Sequence, residues 1–229
     1  RIDASSLAQF ERFVGKTRGL KFDDYNAMWR CRIDDLEGFW TAIWDYFDLQ
    51  SGTPRTEVLQ ERKMPGAVWF PGTHLNFAEH MLRQAALTPA RTALIVQSET
   101  FGETQISWSE LSAQVASVAA RLRAMGVEQG DRVVAVLPNT ETALIAFLAT
   151  ASIGAVWSLC APDMGHVAIL DRFRQIEPKV LIAQDGYVHG GATIDRREIL
   201  QEITSGLPSL EQTIWLSVVG AVPDGGVAW

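Results

Sequence analysis

The sequence predicts an α/β fold, with a helical N-terminal extension over residues 1–90 and a parallel-sheet α/β subdomain over residues 91–229. Three observations carry this. After Arg91, short apolar runs alternate with amphipathic stretches of about ten to twenty residues, the rhythm of βαβ units. Before it, aromatic and aliphatic residues recur at offsets of three and four, the spacing of one helical face. Between Ala143 and Cys160, eighteen residues without a charge are interrupted at Gly154.

In "DDLEGFWTAIWDYF" the apolar positions Leu36, Phe39, Trp40, Ile43, Trp44 and Phe47 share one helical face. Asp34 with Glu37 predicts a capping box at its start. Asp34, Asp35, Glu37, Asp45 and Asp48 surround the aromatic stripe, so it reads as packed core rather than as a base-stacking surface. The stretch from Gln50 to Val68 reads as a linker. Its "SGTPR" lacks the second glycine and the lysine of a phosphate-cradling loop. Pro71-Gly72 marks a turn. Asn76 with Glu79 predicts a second capping box, opening a helix that carries Phe77, Met81 and Leu82 inward.

"TALIVQS" opens the alternating half as a strand. "SWSELSAQVASVAARLRAMG" follows as a helix ended by Gly126, and "DRVVAVLP" as a buried strand closed by Pro138. Eighteen uncharged residues reach the length at which a membrane-spanning helix is suspected. However, Asn139 and Thr140 start a helix that runs from Glu141 to Ile153, and Gly154 stops it. The six residues "AVWSLC" that follow have strand length and character. The run is therefore expected to be a helix and a strand, both buried in a soluble sheet, and not a membrane span. A helix at "VAILDRFRQI", a strand at "KVLIAQ", a helix at "RREILQEI" and a strand at "TIWLSVV" complete the series.

A net charge of −7 with no basic stripe argues against a nucleic-acid partner. Two cysteines, Cys31 and Cys160, are too few for a secreted disulfide scaffold and suit a reducing, cytoplasmic setting. Cys160 reads as a buried strand residue rather than a nucleophile. His74 and His80 are six residues apart, so they do not share a helical face, and a zinc site is not expected.

The string "GVEQGDRVVAVLPNTETALIAFLATASIGAVWSLCAPD" resembles the first sheet segment of the adenylate-forming acyl-CoA synthetases: a G-x-x-x-G-D-R-V turn, a strand ending in Pro-Asn, a helix, then Gly-Ala-Val before the next strand. "WFPGTHLNFAEHML" is similar to the extension of the acetyl-CoA synthetase-like branch. "WSLCAPDMG" with "ILDRFRQIEPKVLIAQDGY" narrows the resemblance to acetoacetate-activating members. It implies a two-step ligase that uses ATP, Mg²⁺ and CoA: a carboxylate is converted to an acyl-adenylate, then CoA displaces AMP. Another short-chain acyl-CoA synthetase, or a non-catalytic binding or scaffold module built on the same subdomain, remain alternatives at this stage.

The resemblance also implies what this stretch contributes. The family's lysine-bearing phosphate loop, its adenine- and ribose-binding segment and its small C-terminal domain are not among these residues, so the chain is expected to be an amino-terminal portion, inactive by itself, with no catalytic residue. Two segments correspond to regions that line the CoA nucleotide. One is Ala161, Pro162, Asp163, Met164 and Gly165; the other is the loop from Tyr187 to Gly191, where Tyr187 and His189 are the candidates. The second departs from the family pattern, because "DGYVHGGAT" has no Arg or Lys to meet a phosphate. Exposed apolar surface left by a partial domain would favour self-association.

Overall fold

Ser5, Asp24 and Asp35 each accept a hydrogen bond from the backbone N–H three residues on (Ala8, 3.2 Å; Ala27, 2.8 Å; Gly38, 3.0 Å). These caps start α1 (Ser6–Arg18), α2 (Tyr25–Asp34) and α3 (Leu36–Tyr46). The cap of α3 is thus Asp35 rather than Asp34, which is the last residue of α2. Asp35 also binds Arg18 at 2.6 Å, and that ion pair joins α1 to the junction of α2 and α3. The computed structural model describes residues 3–99, 102–221, 223 and 226–229. Its packing divides the chain into two units, Arg1–Leu75 and Asn76–Trp229.

In the first unit Phe10, Val14, Met28 and Ala42 are buried together, with Phe39, Ile43 and Tyr46 packed around them. Phe10 meets Phe39 and Tyr46 edge-to-face, at 5.9 and 5.2 Å between ring centres. The aromatic stripe of α3 is core only in part, since Phe47 is 52% exposed. The stretch expected as a linker contains an antiparallel pair, β1 (Leu59–Glu61) and β2 (Val68–Trp69). Thr73 N–H closes the Pro71-Gly72 turn on Phe70 O at 3.1 Å.

The second unit begins with α4 (Phe77–Leu82), capped by Asn76, and α5 (Gln84–Leu87). Of the three residues expected inward on α4, only Leu82 packs on the core; Phe77 is 57% and Met81 41% exposed. The reason is the cap itself. Asn76 Nδ2 donates to Ala151 O at 2.9 Å, and the small Ala78, fully buried, then lies against the core.

β3 (Thr92–Ser98) and β4 (Gly102–Ser107) pair antiparallel as a separate two-stranded sheet, so "TALIVQS" is not part of the parallel sheet. Its own composition explains this. Ile95 is 67% exposed while Val96 is buried, the alternation of a strand covered on one face. Ser107 and Glu110 form a reciprocal capping box that starts α6 (Trp108–Ala124).

Among the described residues five strands build the parallel sheet: β5 (Arg132–Val136), β6 (Val156–Cys160), β7 (Val180–Gln184), β10 (Gln212–Leu216) and β11 (Val227–Ala228). Between β7 and β10 lies a hairpin, β8 (Gly186–His189) with β9 (Ala192–Asp195). The helices are α7 (Glu141–Ser152), α8 (His166–Arg174) and α9 (Arg197–Ser205). The order across the sheet is β11-β10-β7-β5-β6. Alternate residues serve opposite faces. Val133, Ala135, Val180, Ile182 and Ile214 join α6 and α7 in one core. Val134, Val136, Leu181, Ala183 and Trp215 join α8 and α9 in another.

The charge-free run is resolved as helix, turn and strand. α7 ends before Gly154, whose φ of +75° suits glycine, and a Cβ there would come within 3.0 Å of Gln129 Cγ. Among the described residues no helix is long and apolar enough to cross a membrane. One expectation needs correcting: β6 is an edge strand rather than one buried on both faces. Among the described residues β5 alone pairs with it, and Val156 and Leu159 are 48% and 40% exposed. Centre and edge should therefore differ in cost. Ile182→Ala, in the middle of the sheet, is expected to lose about 2–5 kcal/mol, and Val156→Ala less than about 1 kcal/mol. Urea midpoints of the two variants against wild type measure this; equal losses would refute the edge assignment.

Candidate functional site

All strands of the sheet are parallel, so the loops after β5, β6, β7 and β10 leave from one edge. At that edge β5 has β6 on one side and β7 on the other. The chain leaves β5 for α7 on one face, but leaves β6 and β7 for α8 and α9 on the opposite face. Loops that diverge in this way open a crevice, which is where ligands bind in open α/β sheets.

Residues 161–165 form the loop after β6. Met164 N–H closes a turn on Ala161 O at 3.2 Å, Pro162 is buried, and Met164 packs on the core beneath. Ala161, Asp163 and Gly165 stay exposed. Gly165 is the N-cap of α8 and, having no side chain, makes no side-chain cap bond. The first amides of α8, His166 and Val167, thus have no acceptor within the helix, at the end where the helix dipole favours an anion.

Asp185, directly after β7, is the organising residue here, and sequence reasoning did not single it out. It is 1% exposed. Its carboxylate accepts from Val218 N–H at 2.6 Å, Val219 N–H at 3.0 Å and Gly220 N–H at 2.8 Å. Its backbone N–H donates to Leu216 O at 3.0 Å, and its carbonyl accepts from Arg196 N–H at 2.8 Å. The start of the β8–β9 hairpin and the loop after β10 are therefore held by one buried side chain. Gly186 follows because no larger residue fits, a Cβ there lying 2.6 Å from Ile194 O.

The stretch Tyr187–His189, expected as a loop, is the first strand of the hairpin, with Tyr187 opposite Ile194 and His189 opposite Ala192. Gly190 and Gly191 make its turn at φ of +59° and +77°. "HGGA" between alternating residues was the available signal for a two-residue hairpin turn. Tyr187 is half-buried and His189 exposed. His189 Nδ1 lies 4.0 Å from Glu99 Oε1, and the same carboxylate receives Gly190 and Gly191 N–H at 3.2 and 3.1 Å. Those two amides, with His189 a smaller influence, hold the Glu99 carboxyl below its ordinary range.

The two candidate segments are joined through neither Tyr187 nor His189 but through Arg196, whose Nη2 donates to Met164 O at 2.7 Å. Arg197 is engaged by Asp195, with bonds of 2.6 and 3.0 Å. That pairing depresses the Asp195 carboxyl to about 2. Among the described residues no three His, Cys, Asp or Glu side chains gather into a metal-holding group.

Residues 81–225 match the AMP-binding enzymes, and residues 25–81 match the acetyl-coenzyme A synthetase N-terminus. This chain belongs to the AMP-binding enzyme family. The two matches meet at Met81, near the packing division after Leu75. The boundary of the packing lies earlier than residue 90, with α4 and α5 packed on α6 and α7. Among solved AMP-binding relatives, an acetoacetyl-CoA synthetase from Streptomyces lividans is 44% identical, with a TM-score of 0.96, over 100% of this chain and 36% of its own. The acetoacetyl-CoA synthetase of Macaca fascicularis is 37% identical over 96% of this chain and 33% of its own length. A malonamoyl-CoA synthetase from Penicillium aethiopicum is 32% identical over 96% of this chain and 31% of its own. The chain spans about a third of the length of the curated relatives it matches.

Two outcomes are expected at this sheet edge. Asp185→Ala strands three amides and is expected to cost about 3 kcal/mol, read from urea unfolding; a loss under about 1 kcal/mol would remove Asp185 as organiser. Because the Asp195 carboxyl is depressed, its pairing contributes stability above pH 3.8 that is lost as pH falls towards about 2. The urea-midpoint difference between wild type and Asp195→Asn is therefore expected to close across that window and to stay constant above it.

Proposed function

We propose that this chain is the amino-terminal portion of a ligase that joins acetoacetate to CoA through an acyl-adenylate, and that it lines the CoA nucleotide. The observation that carries the reading is 44% identity at a TM-score of 0.96, along the whole chain, to an acetoacetyl-CoA synthetase. The placement of the candidate residues supports it. Ala161, Pro162, Asp163, Met164 and Gly165 occupy the strand end beside the crevice, and the amides of His166 and Val167 at the helix start suit a phosphate. Tyr187 and His189 sit on a hairpin held to that loop by the Arg196 bond to Met164 O. CoA, when bound, supplies the thiol that displaces AMP. The residues of this chain bind and orient its nucleotide end, while the adenylating groups and the ATP site lie mostly elsewhere in the whole enzyme.

A second reading, another short-chain acyl-CoA synthetase, is favoured by the malonamoyl-CoA synthetase relative, because similarity at this level spans different acids. ATP–pyrophosphate exchange separates the two readings. The complete protein that carries this chain is expected to exchange fastest with acetoacetate, against acetate, butyrate and malonamate; a faster rate with another acid selects the second reading. This chain alone is expected to show no exchange, and turnover by it would overturn its assignment as a non-catalytic portion.

A further inference from the structure

The turn of the β8–β9 hairpin holds an anion, and the anion is the protein's own. Gly190 and Gly191 are the two residues between the closing pair His189 and Ala192. Both have positive φ, and their consecutive N–H groups both point at the Glu99 carboxylate, one to each oxygen, at 3.2 and 3.1 Å. Successive turn amides form an anion-binding concavity in which any carboxylate or phosphate oxygen pair can sit. The His189 imidazole lies 4.0 Å from the same carboxylate and is 80% exposed on its side chain. Glu99 comes from the turn side of β3, ninety-one residues away in sequence from Gly190, so the arrangement is not local turn chemistry.

We propose that Glu99 is an internal stand-in for a phosphate: the Gly190–Gly191 turn is a phosphate-monoester site that Glu99 keeps closed, and a phosphate binds there by displacing the carboxylate. Three features support this. The two amides have no strand partner, since the ladder ends at His189 and Ala192. Glycine at both positions leaves the turn open, with nothing within 4 Å of where a Cβ would lie at either. Glu99 is exposed, so solvent screening makes its hold weak enough for another anion to replace it. A phosphate, with more oxygens and more charge than a carboxylate, competes for the same pair of donors. The occupied turn also explains how a hairpin without Arg or Lys can serve an anion: recognition is by backbone amides, with Glu99 removed as the cost of entry.

The site as such does not depend on the ligase reading; that the phosphate belongs to CoA does. The experiment follows the Gly190 and Gly191 amide resonances of this chain during titration with inorganic phosphate, and separately with adenosine 3′,5′-bisphosphate, the nucleotide end of CoA. Three variants accompany wild type. Glu99→Ala removes the stand-in, Glu99→Gln removes its charge, and Glu103→Gln makes the same change of net charge on the neighbouring strand. Both Glu99 variants are expected to bind phosphate about three- to fivefold tighter than wild type, with the shifts centred on Gly190 and Gly191, and Glu103→Gln to behave as wild type. Equal affinity in all four proteins, or shifts that centre elsewhere, overturns the proposal. If the bisphosphate binds at the turn equally well with and without Glu99, the stand-in role fails while the CoA reading stands. If phosphate gains from the Glu99 variants but the bisphosphate binds no better than phosphate, the stand-in role holds and the CoA assignment of this hairpin fails.

Discussion

The sheet edge depends on one buried charge. Removing a carboxylate from water costs several kcal/mol unless hydrogen bonds replace its solvation, and Asp185 is 1% exposed. Its replacement shell is three backbone amides from residues 218–220. The same residue's N–H and C=O are taken by Leu216 and Arg196. Asp185 therefore fixes three segments in one step: the end of β7, the loop after β10, and the return of the hairpin into α9. Arg196, placed by this network, reaches Met164 O and so carries the constraint to the loop after β6. Loops at a sheet edge are normally the freest part of an α/β domain. Here they are cross-tied by groups that cannot leave without exposing unsatisfied polar atoms.

That network rests on a sheet whose centre is dry. Val133, Val134, Ala135, Val180, Leu181, Ile182 and Ala183 have no exposed surface, because β5 and β7 are covered on both faces. Continuous apolar runs are what such strands require, since both side-chain sets face a core. This part was legible. "DRVVAVLP" and "KVLIAQ" could hardly be anything else, and Gly154 located the break in the charge-free run because a left-handed residue ends a helix. What the same runs did not say was the order across the sheet. "AVWSLC" is nearly as apolar as its neighbours, yet β6 is at the edge, with Val156 and Leu159 partly in water. Order is a property of crossovers, and a strand's own residues record only how much of each face is covered.

The hairpins show the other limit. β3–β4, before the parallel strands, and β8–β9, between two of them, are antiparallel pairs, and an alternation of strand and helix signals conceals them. The "HGGA" turn was readable as a hairpin from the conformational demand for positive φ at two successive positions. Its partner Glu99 was not, because the two are separated by ninety-one residues and only the tertiary fold brings them together. Asp185 was hidden for a similar reason. An aspartate after an apolar strand looks like any turn residue until the loop after β10 is seen to donate three amides to it. Of the candidate site, the segments were legible, and the bonds that position them were not.

The chemistry of the edge follows from which donors are already engaged. Arg197 is bound by Asp195, and one donor of Arg196 is held by the Met164 carbonyl, bonds that fix where both guanidinium groups lie. Backbone amides are further donors: those at the start of α8, left uncapped by Gly165, and those of the Gly190–Gly191 turn, which Glu99 holds. Amide donors differ from arginines in range as well as strength. They act over hydrogen-bond distance, whereas a full charge attracts over the Debye length of about 8 Å at physiological salt. With a net charge of −7 on the chain, long-range attraction of an anionic ligand is weak. The proposed CoA site, so built, would select by fit after arrival rather than by steering. That makes the fixed geometry supplied by Asp185 and Arg196 more consequential here than it would be in a basic pocket.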